Sequence, residues 1–100
     1  MSGNKFEKLT DERIREELGK LGGWNIKDGK LAKSFKFDNF VKAFGFMTQV
    51  AIEAEKMNHH PDWRNVYNTV DVNLVTHDVS AITTYDIKLA RIIDTIFNGS

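Results

Sequence analysis

Residues 40–57, FVKAFGFMTQVAIEAEKM, restrict the possible fold more than any other stretch of the chain. Apolar side chains recur there at three- and four-residue spacing, the period of a helix face. Phe40, Phe44, Met47, Ala51 and Ala54 fall along one side, and Phe46, Val50 and Met57 widen the arc. Lys42, Gln49, Glu53 and Lys56 make the opposite, wet stripe. Asp38 or Asn39 can cap the helix start. The arc is wider than one sheet contact requires. Two readings follow: a well-buried core helix, or a helix that packs on its own sheet and also on another subunit.

The period changes to two on both sides of this helix. Before it, Trp24-Asn25-Ile26 leads into Lys27-Asp28-Gly29-Lys30, and Asp-Gly is a tight-turn signal between strands. Leu31, Lys33, Phe35 and Phe37 then alternate with Ala32, Ser34 and Lys36. After the loop NHHPDW, residues 66–76 are rich in β-branched side chains, and Val70, Val72 and Leu74 alternate with Asp71 and Asn73. A turn at Asn68-Thr69 divides that stretch into two strands.

A helix stands at each end. Thr10 is an N-cap ahead of Asp11 and Glu12, Leu9 and Ile14 have the spacing of a hydrophobic staple, and Ile14, Leu18 and Leu21 share a face. Gly22-Gly23 ends this helix. Thr83-Thr84-Tyr85-Asp86 is a capping box for a last helix carrying Leu89, Ile92, Ile93, Ile96 and Phe97. The order is α-β-β-α-β-β-α. The expected fold is a single α+β domain over residues 9–98, a four-stranded antiparallel sheet with three helices on one face, behind a flexible lead-in at residues 1–8.

A chain of 100 residues has room for one core. Fourteen basic and fourteen acidic side chains cancel. That argues against direct nucleic-acid binding, which favours a basic excess. Without cysteine there are no disulfides, thiolate nucleophiles or Cys-type zinc sites. No apolar run approaches the roughly 18 residues of a membrane span. The expectation is a soluble cytoplasmic protein.

The chemistry concentrates in EKMNHHPDW, residues 55–63, and in Thr76-His77-Asp78. His59, His60 and His77 are the chain's three histidines. Imidazole is the side chain whose ordinary pKa suits acid–base work near neutrality. Pro61 biases His60 toward extended backbone, which sends adjacent side chains to opposite sides. Glu55 can orient an imidazole, and Trp63 offers a flat face to a planar heterocycle. Three histidines with Glu55, Asp62 or Asp78 include enough donors for a metal ion. However, His-Glu-x-x-His spacing is absent and adjacent histidines rarely converge on one ion, so no metal is expected. Asp86, by pattern alone, is a helix cap.

Phe44-Gly45-Phe46-Met47, residues 55–63, Asn65-Val66-Tyr67-Asn68, Leu74-Val75-Thr76-His77-Asp78 and Thr83-Thr84-Tyr85-Asp86 carry a resemblance over about residues 9–97. The chain resembles the pterin-4a-carbinolamine dehydratases, also known as dimerisation cofactors of a hepatocyte homeodomain transcription factor. The resemblance implies dehydration of 4a-hydroxytetrahydrobiopterin to quinonoid dihydropterin during tetrahydrobiopterin recycling, without cofactor or metal. By motif position, His59, His60 and His77 are the catalytic histidines. His59 and His77 are expected at the 4a-hydroxyl, and His60 is expected to bind and orient the pterin. Glu55, Asn58, Pro61, Trp63, Thr76, Asp78 and Asp86 are the implied substrate-binding set. The family also implies a homotetramer, a dimer of dimers, built through the helix from Phe40 to Met57. A second role follows as a transcriptional coactivator for a homeodomain transcription factor, with some protein in the nucleus. Where several relatives have glycine near position 81, this chain has Ala81, so the loop beside His77 is expected to be built differently.

Overall fold

The computed structural model describes residues 6–99. Helix α1 (Asp11–Lys20) precedes a hairpin of β1 (Asn25–Lys27) and β2 (Lys30–Lys36); helix α2 (Phe40–Met57) precedes a second hairpin of β3 (Asp62–Val66) and β4 (Thr69–Leu74); helix α3 (Thr84–Asn98) closes the chain. The sheet order is β1-β2-β4-β3, antiparallel throughout. The expected α+β architecture and element order are present, with the helices on one face.

The period-two patterns decide which face is covered. Leu31 and Phe35 of β2, and Val70, Val72 and Leu74 of β4, are buried. Ala32, Ser34, Asp71 and Asn73 alternate with them on the opposite, polar face. Phe35 packs against Phe46 of α2 and Phe97 of α3, with ring centroids 5.1 and 5.0 Å away. Lys33 breaks the apolar pattern on the covered face. Its Nζ donates to Asp94 Oδ1 at 2.8 Å and to the Gly22 carbonyl at 2.7 Å, and the Trp24 indole also donates to Asp94. The cation is therefore paired at the edge of the core.

The first turn forms as the sequence requires. Asp28 and Gly29 have φ of 51° and 77°, the paired left-handed geometry of a tight hairpin turn. Asn39, not Asp38, caps α2, its side chain accepting from the Lys42 amide.

The structure sharpens four expectations. The face of α2 against the sheet is Ala43, Phe46, Val50 and Ala54, with Met47 and Met57 partly buried, while Phe40, Phe44 and Ala51 are exposed. Adjacent helical residues differ by about 100°, so weighting the bulky aromatics moved the expected core line one position round. Strand β3 begins at Asp62, inside the expected loop, so Val66 ends a strand instead of starting one. The turn is at Tyr67-Asn68, where Tyr67 has φ of 52°. Ala81 does not need glycine's freedom: it bridges Thr76 in extended pairing, and Ser80 takes the left-handed conformation at φ 49°.

Of the expected lead-in, residues 1–5 lie outside the described residues, and residues 6–8 are held. Thr84 N–H donates to the Glu7 carbonyl at 3.0 Å, and Lys8 pairs with Thr83. Among the described residues, no helix is long and apolar enough to cross a membrane.

Candidate active site

Helix α2 ends at Asn58, whose left-handed φ of 52° reverses the chain. The reversal directs His59 inward and leads into β3 through His60 and Pro61. At the far end of β4, Val75 and Thr76 continue extended before a tight turn carries His77 and Asp78. The capping box of α3 closes the third side: Thr83 accepts from the Tyr85 amide, and Asp86 accepts from the Thr83 amide at 2.8 Å. These three chain reversals surround a cavity of about 310 Å³. It is lined by Phe6, Met57, Asn58, His59, His60, Val75, Thr76, His77, Asp78 and Tyr85.

Each histidine is held by its own carboxylate through Nε2. His59 Nε2 lies 2.6 Å from Asp86 Oδ1, His60 Nε2 lies 2.8 Å from Glu55 Oε1, and His77 Nε2 lies 3.2 Å from Asp62 Oδ1. The environments differ. His59 and Asp86 are buried, whereas His60, Glu55 and His77 are exposed.

The buried pair can be resolved to individual protons. Asp86 Oδ2 already accepts from the Thr83 amide and from the Thr76 hydroxyl at 2.9 Å. The Thr83 hydroxyl completes the chain by donating to Thr76 Oγ1 at 2.6 Å. A carboxylate surrounded by donors is an acceptor, so His59 donates its Nε2 proton to it. In the neutral ring this leaves Nδ1 with a lone pair. Nδ1 has no hydrogen-bond partner among the described residues, and no buried side-chain nitrogen or oxygen there lacks one, so Nδ1 is accessible.

Asp62 is held toward its ionised form. Burial pushes its carboxyl up, but hydrogen bonds from Lys30 and His77, reinforced by their charges, outweigh burial and hold it below the ordinary range. Lys30 Nζ is 3.0 Å from Asp62 Oδ2. An ionised Asp62 accepts from His77 Nε2–H, and again Nδ1 is the ring nitrogen left over.

Six residues singled out in the sequence line the cavity directly: Asn58, His59, His60, Thr76, His77 and Asp78. Glu55 and Asp86 stand behind the histidines. Pro61 and Trp63 are not among the lining residues. Trp63 pairs with Val72 on the covered face of the sheet and packs against the core, because β3 begins early enough to include it. Sequence reasoning did not find Phe6, Tyr85 or the role of Asp62. Tyr85 was masked by its place in a capping box, and Asp62 by distance in sequence from His77. No group of three or more His, Asp or Glu side chains among the described residues is arranged to hold a metal ion.

Residues 7–96 match the family model described as pterin 4 alpha carbinolamine dehydratase. The chain belongs to that family. A provisionally named pterin-4-alpha-carbinolamine dehydratase of Prochlorococcus marinus (strain NATL2A) is 56% identical, over 91% of this chain and 96% of its own. One of Rhizobium rhizogenes, with the same provisional name, is 53% identical, over 87% of this chain and 88% of its own. The crystal structure of a transcriptional coactivator/pterin dehydratase from Brucella melitensis is 47% identical with a TM-score of 0.87, covering 91% of this chain and 99% of that one. The matched range spans the positions of all three histidines and their carboxylates.

Proposed function

We propose that this member of the family dehydrates a 4a-hydroxytetrahydropterin, such as 4a-hydroxytetrahydrobiopterin, to the quinonoid dihydropterin by histidine acid–base catalysis. One observation carries the reading: three imidazoles, each held at Nε2 by a separate carboxylate, surround one cavity. In the substrate, C4a bears the hydroxyl and N5 bears a proton. The N5 lone pair forms the N5=C4a double bond as the C4a–O bond breaks. An acid protonates the departing oxygen to give water, and a base takes the N5 proton. Atoms and charge balance with no redox step, and the reaction calls on no metal or cofactor.

His59 and His77 act as the acid and base at the 4a-hydroxyl and N5, each worth about 10²–10⁴-fold. His60, whose partner Glu55 is the most exposed of the three carboxylates, orients the pterin. Asn58, Thr76 and Asp78 supply polar contacts to the ring edge. Glu55, Asp62 and Asp86 position the imidazoles. Pro61 shapes the turn between His60 and β3.

Phe40, Val41, Phe44 and Ile52 of α2 are exposed large apolar side chains. Such a face supports assembly of this chain through α2, into a homotetrameric dimer of dimers. The Brucella melitensis protein's description as a coactivator supports a second role, in which this face binds the dimerisation segment of a homeodomain transcription factor. A cytoplasmic enzyme with a nuclear fraction fits both roles.

The test is a coupled aromatic amino acid hydroxylase assay following decay of the 4a-carbinolamine, with chelator present. Acceleration by the wild-type chain, lost in the His59→Ala/His77→Ala double variant, is the expected result. A folded wild-type chain that accelerates nothing would refute the dehydratase reading and favour the partner-binding role.

A further inference from the structure

The histidines account for the cavity's polar side. Its flat side is not Trp63, which packs against the core and is not among the lining residues. Two other aromatic rings stand in the lining. Tyr85 meets His59 edge-on at 5.6 Å between centroids and 61° between planes. Phe6 meets Tyr85 at 5.4 Å and 65°. The two rings therefore make an aromatic corner beside the imidazole held by Asp86.

Phe6 precedes α1, where chain ends are ordinarily loose. Here the following residues are tethered to the segment that carries the cap of α3. Glu7 N–H donates to Thr84 Oγ1 at 3.0 Å, Thr84 N–H donates to the Glu7 carbonyl at 3.0 Å, and Leu9 N–H donates to the Ile82 carbonyl at 3.2 Å. Lys8 lies between them, paired with Thr83. The segment that seats Phe6 is thus the one that presents Tyr85 and Asp86.

We propose that Phe6 and Tyr85 receive the π face of the pterin, and that Phe6 is a pterin-binding residue of the site. The proposal rests on the dehydratase reading above. A pterin is a fused planar heterocycle: its edges carry donors and acceptors for the imidazoles and polar side chains, and its faces are apolar and polarisable. Phe6 offers no proton, and its ring contact is with Tyr85. Its stacking is felt equally by bound substrate and transition state, so its loss raises KM and leaves kcat unchanged.

The test uses the full chain and a fully oxidised pterin, a flat, fluorescent probe that does not react. Phe6→Ala is expected to weaken its binding by about 5- to 150-fold, the range for removing an aromatic platform beneath a nucleobase. Phe6→Leu, which keeps apolar bulk but not the ring, is expected to weaken it as well, and Phe6→Tyr to retain it. In the hydroxylase-coupled assay, KM for the carbinolamine rises in Phe6→Ala while kcat holds. Wild-type affinity in Phe6→Ala, or a fall in kcat at unchanged KM, would overturn the proposal and leave the dehydratase reading standing. A wild-type chain that binds no pterin would overturn both.

Discussion

His59 and Asp86, 27 positions apart, meet at 2.6 Å, and the carboxylate that holds the imidazole is also the one that caps helix α3. One side chain therefore does two jobs through two oxygens. Oδ2 closes the capping box with the Thr83 amide, and Oδ1 fixes the ring of His59.

Asp86→Asn separates these jobs. Asparagine has one acceptor oxygen, so it must turn its amide N–H₂ to either the Thr83 amide or His59. If the cap is kept, His59 Nε2 must accept and its proton moves to Nδ1, the wrong tautomer for a base. We expect kcat to fall by about 10²–10⁴-fold. Loss of the cap instead costs about 1 kcal/mol of stability. Kinetics together with ring-nitrogen NMR of His59 distinguishes the two, and an unchanged tautomer with unchanged kcat would refute the assignment.

His60 and His77 are exposed and less firmly held, so their carboxylates matter less. Asp62→Asn should lower kcat by about tenfold, near the lower limit for losing a positioning partner. Glu55→Gln should act mainly on KM if His60 has its proposed role of orienting the pterin. A kcat loss in Glu55→Gln as large as that in His59→Ala would reverse the roles of His59 and His60.

Glu17 makes acid stability measurable. Burial pushes its carboxyl up, but Arg13 by hydrogen bond, with Lys20 and Arg91, outweighs burial and holds it below the ordinary range. A carboxyl lowered on folding contributes stability above its unfolded pKa of about 4.3, and that contribution is lost as pH falls through the folded value. Glu17→Gln should therefore lower Tm near neutrality and weaken its fall below about pH 4.3. The arginines are half exposed, so the loss at neutrality is about 1 kcal/mol, or about 4–8 °C in Tm for a domain this size. Parallel Tm profiles for the two chains between pH 2 and 7 would contradict this account.

The turn after His77 offers a backbone test. Ser80 holds φ of 49°, where a side chain costs about 1 kcal/mol that glycine avoids. Ser80→Gly should gain up to that amount in chemical denaturation, whereas Ala81→Gly should lose about 0.5 kcal/mol because position 81 is extended. The opposite ranking would place the left-handed residue at 81.

The exposed pair Phe40 and Phe44, packed edge-to-face with ring centroids 5.7 Å apart, gives the assembly test. Phe44→Glu puts a charge on the apolar face without touching the covered one. Light scattering should give an oligomer for the wild-type chain and a monomer with unchanged helix content for the variant. A wild-type monomer would remove α2 as an interface.

Period and punctuation alone determined the element order, the covered face of the sheet, the Asp28-Gly29 turn and the Thr10 and Thr83 caps. These are local: each depends on side chains a few positions apart and on backbone preferences that no distant contact overrides. The three histidines were legible for the same reason, as a motif. Tertiary structure decided what the motif faces. It moved the core line of α2 to Ala43, Phe46, Val50 and Ala54, because the sheet selects the residues that fit its surface over the bulkiest ones. It laid Trp63 against the core by starting β3 early, and put Phe6 and Tyr85 in the cavity lining. It also assigned one carboxylate to each imidazole. Partners 27, 15 and 5 residues apart are chosen by the register of strands and the ends of helices, and no sequence period encodes that.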